Sequence, residues 1–143
     1  MNVEDFLEKI RAGDTLMNKD RWLAAFERQA ELMEKYHVIE ASNGLLQTED
    51  VPVDLNDKMG QARLKDFAWR ITEELGEAMN CLKNKPWKQT HMQTNQTHYK
   101  EEIADAFHFM LELCILSGLG PDELFQMYMA KAEVNTFRQG SNY

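Results

Sequence analysis

Apart from Asp105, the stretch from Ile103 through Leu116 is apolar on nearly every side of a helical projection, with only His108 and Glu112 interrupting it. A helix without a polar face cannot lie on a surface. Protein must surround it, either in a core or at a subunit interface. No competing sheet is on offer, because no run alternates β-branched and polar residues with the period of a strand. The chain is therefore expected to pack helix on helix, an all-α bundle of four to five helices.

The partners of that helix are legible from spacing. Val3, Phe6, Leu7 and Ile10 predict a short amphipathic helix over 3–11, with Gly13 placed to stop it. Trp22, Leu23, Phe26, Ala30, Met33 and Tyr36 predict a second, from Asp20 to about Glu40. The stretch from Ser42 through Val53 reads as a connecting loop. Asp54 or Asn56 is placed to cap a third helix running to about Lys83, striped by Leu64, Ala68, Ile71, Leu75, Ala78 and Leu82. Asn84-Lys85-Pro86 breaks it, and Lys88 to Asn95 is a polar loop. The fourth helix runs from near Thr97 to Ser117. Gly118-Leu119-Gly120-Pro121 then makes a sharp boundary, with Pro121 suited to the first turn of a fifth helix that ends near Gly140. At 143 residues the expectation is one domain, 1–143, able to bury roughly 70% of its unfolded surface without staples.

Charge excludes some partners. The 16 Lys and Arg against 24 Asp and Glu give a net charge of −8, the wrong sign for gripping a nucleic-acid backbone by counterion release. A small phosphate ligand is still compatible, where a divalent cation inverts the local sign. No apolar run approaches the roughly 18 to 20 residues of a membrane span. The acidic, amphipathic start does not read as a signal peptide, and Cys81 and Cys114 both sit in apolar helical patterns that suit reduced thiols. A cytoplasmic protein is expected, with neither a membrane nor a nucleic-acid polymer as partner.

Two short segments echo each other. Glu73-Glu74-Leu75-Gly76-Glu77-Ala78 and Glu101-Glu102-Ile103-Ala104-Asp105-Ala106 share the order acid, acid, apolar, small, acid, Ala. In each, two acids stand three apart, Glu74 with Glu77 and Glu102 with Asp105, so each pair projects from one helix face and can share a ligand. An isolated pair of this kind is ordinarily a solvated acidic face. Here the face of Glu102 and Asp105 continues to Phe109, Leu113 and Leu116, an apolar seam. A carboxylate in such a seam must be neutralised, paired or bound to a metal. Glu74 borders the stripe of its own helix, while Glu77 lies further round, beside Arg70 and Cys81.

Four acids from two helices suit hard, oxygen-seeking ions, Mg²⁺ or Mn²⁺. Thiolate and imidazole metals fit poorly, since the four His at 37, 91, 98 and 108 are scattered. Asp105-x-x-His108 alone gives only half of a di-iron carboxylate site, and His108 reads instead as a core or interface histidine. No glycine-rich phosphate loop and no nucleophile elbow occurs, so phosphates would be held by metal and by single cations. Lys131, Asn135 and Arg138, spaced by four and three, form one stripe of the last helix, with Tyr143 beyond it. An ordinary polar face has the same spacing, but Lys and Arg on one stripe can clamp phosphate oxygens. Trp87-Lys88 sets an aromatic surface beside another cation. The residues alone leave two functions open: a metal-dependent enzyme, and a catalytically silent helical dimer that binds a protein partner through Met-rich apolar helices.

With these residues in place, the chain resembles the all-α nucleoside triphosphate pyrophosphatases. Glu74-x-x-Glu77, 24 intervening residues and Glu102-x-x-Asp105 are similar to the metal-binding signature of that family. The run Glu102-Ile-Ala-Asp-Ala-Phe-His-Phe, then Gly118-Leu-Gly, Glu123-Leu-Phe, Tyr128, Lys131, Asn135, Arg138-Gln139 and Tyr143, is similar to the dimeric dUTPases and the phage dCTP pyrophosphatases. Trp87-Lys88 resembles a Trp-Lys found after the first metal helix of the dUTPases. The resemblance spans residues 67–143.

It implies hydrolysis of a deoxynucleoside triphosphate to monophosphate and pyrophosphate with Mg²⁺, in control of the nucleotide pool. It also implies a homodimer or larger homo-oligomer, in a host cytoplasm if the gene is a phage's. Glu74, Glu77, Glu102 and Asp105 would hold the ions, with Glu77, or Glu74 beside it, orienting or deprotonating the attacking water. Lys131, Arg138 and Tyr143 would bind phosphates, Asn135 the sugar or base, and Trp87-Lys88 the nucleotide. Gln29-Ala-Glu-Leu32 resembles the Gln-x-x-Leu-Asn whose amides help read uracil, but Met33 stands where Asn would. dUTP is the first expected substrate and dCTP the next.

Overall fold

The computed structural model describes residues 2–12, 20–45 and 51–141. Among them are five helices and no strand: α1 (Val3–Arg11), α2 (Arg21–Ser42), α3 (Lys58–Asn80), α4 (Gln96–Leu116) and α5 (Pro121–Gly140). The all-α expectation holds. The proposed stop at Gly13 and the terminal Tyr143 lie outside the described residues. No single helix among the described residues is long and apolar enough to cross a membrane.

Caps explain where the helices begin. Asn2 and Asp5 close a reciprocal capping box on α1, and the Asp20 carboxylate accepts from the Trp22 and Leu23 N–H groups at the head of α2. The cap of α3 is neither Asp54 nor Asn56. Asp57 accepts from the Gly60 N–H at 2.9 Å, whereas the Asp54 carboxylate is occupied by the Asn56 N–H. Position 60 in that turn must be glycine, since a Cβ would sit 2.7 Å from the Asp54 carbonyl oxygen.

The ends are set as locally. α3 stops at Asn80, short of the expected Lys83, because the Cys81 and Leu82 N–H groups tighten back onto the Ala78 and Met79 carbonyls. Asn84 then pins the next loop, accepting from the Met92 N–H and donating to the Met92 carbonyl, each at 2.7 Å. After α4, Gly118 takes a φ of +74°, a left-handed conformation that a side chain would strain. From there the chain turns, and α5 leaves at 105° to α4.

α3 and α4 run antiparallel, as two pairings show: Glu74 faces Glu102 and Asp105, while Phe67, earlier on α3, meets Phe109, later on α4. α2 packs across α4. Two apolar clusters join these three helices, Phe26 with Leu111 and Cys114, and Met33 with Phe67 and Leu116. The Trp22 indole donates to the Pro121 carbonyl at 2.8 Å, tying the start of α2 to the start of α5. Within one chain α4 is covered on one side only. Leu111, Glu112, Cys114 and Leu116 are buried, but Ile103, Phe107 and Met110 stay 39–42% exposed. α5 buries no residue, and Phe125, Tyr128 and Phe137 lie open on it.

Candidate functional site

The antiparallel pairing of α3 and α4 sets Glu74 against Glu102 and Asp105, with one carboxylate oxygen from each within 4.8 Å of the others. Glu102 is buried, Glu74 half-buried and Asp105 exposed. Burial, a hydrogen bond that the protonated Glu74 donates to Glu102, and the charges of Glu77, Asp105 and Glu102 push the Glu74 carboxyl up to about 7. His98 Nε2 stands 3.5 Å from Glu102 Oε1, while Glu102 Oε2 is buried with no hydrogen-bond partner. An acceptor buried in that way costs about 1–3 kcal/mol. A hard cation would supply the missing partner and relieve the mutual repulsion, and three carboxylates are the donor set Mg²⁺ or Mn²⁺ takes. The residues fit such an ion.

Two of these acids, Glu74 and Asp105, open into a cavity of about 310 Å³ walled by all three packed helices. Glu74 and Asp105 are at one end. Arg70, His108 and Phe109 follow along it, and Gln29, Tyr36, Glu40 and Glu112 complete the wall. Glu112 is only 1% exposed. It accepts a hydrogen bond from the Gln29 amide at 3.4 Å and is hydrogen-bonded with His37 Nε2 at 3.1 Å, the donor there depending on the histidine tautomer. Burial, and then the charge of Glu40, push Glu112 up to about 7 against the opposing pull of Arg70 and Arg63. Burial, and then Arg63, hold His37 below its ordinary 6.5. Glu40 in turn pairs with Arg70 at 2.7 Å and Arg63 at 3.7 Å, and the Arg70 guanidinium lies over the Phe67 ring at 4.4 Å. A connected set of buried and half-buried polar groups of this kind favours one geometry.

Glu112 gives the fold a pH dependence of definite sign. Its folded pKa, about 7, is above the ordinary 4.5, so the folded state binds the extra proton between those values. Its contribution is fully present below about pH 4.5 and is lost as pH rises through 7. The loss is at most on the order of 3 kcal/mol, reduced by whatever solvent reaches the group. Urea midpoints are expected to fall between pH 5 and pH 8, and Glu112→Gln is expected to flatten much of that slope. An unchanged slope in the variant would place the titration elsewhere.

The structure brings together Glu74, Glu102 and Asp105, and sets Gln29 in the same cavity. Glu77 is exposed and stands outside the group of three, lining a separate cleft with Lys83, Lys85 and His98. His108 is exposed at the cavity rather than held in the core. Trp87 and Lys88 lie exposed on the loop after α3, with Lys85 Nζ 5.6 Å from the Trp87 ring centre. Lys131, Asn135 and Arg138 are exposed on α5 and do not line the acid cavity. His37, Glu40, Arg63, Arg70 and Glu112 are the residues that spacing did not single out as a site. A signal was present. Arg63, Phe67, Arg70 and Glu74 follow one another by four, three and four, a helical stripe with charges where apolar residues belong.

The sequence model of the dUTPase family matches residues 22–117. That span contains the three clustered acids and every residue that walls the cavity, and it ends before α5. No curated protein and no solved structure matches the chain.

Proposed function

The chain belongs to the dUTPase family, whose sequence model covers most of its length, and from that premise we propose that it hydrolyses a deoxypyrimidine nucleoside triphosphate to the monophosphate and pyrophosphate, with Mg²⁺. Membership supports a hydrolase of the nucleotide pyrophosphatase type. The observation that carries the finer reading is the acid trio, two of whose members, Glu74 and Asp105, line one end of a cavity that also holds Gln29. The volume of the cavity is in the range of small-ligand sites.

In this reading Glu74, Glu102 and Asp105 hold the ion. When bound, Mg²⁺ supplies positive charge against the triphosphate oxygens and lowers the pKa of a bound water. Glu77, one turn from Glu74, would orient or deprotonate the attacking water, with Glu74 beside it. Tyr36 and Phe109 offer ring faces to a base, and Gln29 a hydrogen-bonding edge. Lys131, Arg138 and Tyr143 remain the proposed contacts to phosphate, Asn135 to the sugar or base, and Trp87 and Lys88 to the nucleotide.

Because α5 leads away from the acids of its own chain, its stripe is assigned to the site of a second copy, in a homodimer or larger assembly. The bare apolar side of α4 and the open aromatics of α5 support self-association. Light scattering is expected to give at least twice the chain mass.

The test is a product screen. The protein is incubated with dUTP, dCTP, dTTP, dATP or dGTP and Mg²⁺, and the products are separated. A monophosphate and pyrophosphate, without orthophosphate, are expected from a pyrimidine substrate, together with a rise in Tm on adding Mg²⁺. No product from any of the five would defeat the reading.

A further inference from the structure

Resting on that reading of the cavity, we infer that Glu112 selects the base: its carboxylate accepts the exocyclic amine of a 4-aminopyrimidine, so that dCTP is preferred to dUTP. Asp105 and Glu112 stand on the same helix, seven residues apart, which is two turns or about 10.5 Å along the axis. Both line the one cavity, so Glu112 is at the end remote from the acids that would face the triphosphate. A nucleotide lying along the cavity with its phosphates at those acids brings the base to Glu112. The ring position nearest the far wall is then position 4, opposite the glycosidic nitrogen.

Position 4 is where the two pyrimidines differ. Cytosine carries an amine there and an acceptor at N3, whereas uracil carries a carbonyl and an N–H. An ionised Glu112 offers only acceptor lone pairs, so His37 Nε2 donates to its Oε1 and the Gln29 amide to its Oε2, each oxygen keeping a further lone pair for the base. That amide has a second N–H, suited to the N3 of cytosine. Against uracil the same pair would set a carboxylate oxygen against O4, two acceptors facing each other at a residue with 1% exposure. Met33, four residues beyond Gln29, is packed with Phe67 and Leu116 and offers no donor to repair the mismatch. This ordering reverses the one implied by resemblance.

The inference is tested at pH 8 by comparing kcat/KM for dCTP, dUTP and dATP in the parent and in Glu112→Gln, with circular dichroism to verify the fold. The parent is expected to favour dCTP over dUTP by at least about tenfold. In the variant the ratio is expected to fall towards one, since an amide can present either its N–H or its carbonyl to position 4. A parent that prefers dUTP or dATP, or a ratio that Glu112→Gln leaves unchanged, overturns the proposal. Calorimetric titration of the parent with α,β-imido analogues of dCTP and dUTP plus Mg²⁺ requires no turnover. Tighter binding of the dCTP analogue by about tenfold, in a protein that hydrolyses nothing, would reject the hydrolase and retain the base selection. Equal affinities, or binding of neither, would reject the base selection whatever the protein hydrolyses.

Discussion

Glu74→Gln and Glu102→Gln are each expected to lower kcat by at least about 10³-fold while leaving the metal-free protein as stable as the parent or more so. The two readouts move apart for one physical reason. Three carboxylates within 4.8 Å repel one another, and Glu102 buries an oxygen that finds no hydrogen-bond partner. Replacing one acid by its amide keeps the shape and removes a charge, which relieves the folded state. A cation, however, is bound by the charge that has been removed. The parent should therefore show a Tm rise with Mg²⁺ that both variants lack, and the variants' metal-free Tm at pH 8 should equal or exceed that of the parent. Activity within tenfold of the parent in both variants would mean that the trio is an acidic surface without a catalytic part.

The helices were legible because each has an apolar stripe of adequate length and a breaker at its end. What failed was local choice among equivalents. Asp54, Asn56 and Asp57 are all competent caps, and the choice depends on where the loop is held, with the Val53 N–H bonded to the Leu116 carbonyl at 2.8 Å. Two three-residue spacings marked four acids, Glu74, Glu77, Glu102 and Asp105. Spacing alone does not say which acids meet, since a step of three turns the second side chain about 60° off the first. Across an antiparallel partner that rotation leaves Glu77 outside while Glu74, Glu102 and Asp105 converge. Glu112 was visible as an interruption of an apolar run, yet its partners His37 and Gln29 stand 75 and 83 residues away. No local pattern contains them. The stripe of Lys131, Asn135 and Arg138 exists as spaced, but the 105° turn that carries it away from the acids depends on the geometry after Gly118, which periodicity does not encode.

Phe67→Ala is expected to be the most damaging single substitution to the fold, at about 3–5 kcal/mol, a large part of the 5–15 kcal/mol by which domains are ordinarily stable. Phe67 is wholly buried and joins α2, α3 and α4 through Met33, Leu116 and Phe109. Its ring also lies beneath the guanidiniums of Arg70 at 4.4 Å and Arg63 at 5.8 Å, the two cations that hold Glu40 beside the cavity. Truncation thus leaves a void in the core and removes the surface on which those charges rest. Phe67→Leu keeps most of the apolar volume and should cost about 1.5 kcal/mol or less, yet it too takes away the ring face under Arg70. The pair of variants separates packing from site geometry. Urea midpoints should order parent, Leu, Ala, with the m-value unchanged, and the folded Leu variant should show a raised KM at near-parental kcat, because the Glu40 wall loosens while the acid trio does not. A Leu variant with parental KM would show that the polar wall of the cavity holds its shape without the ring, and that Phe67 serves the fold alone.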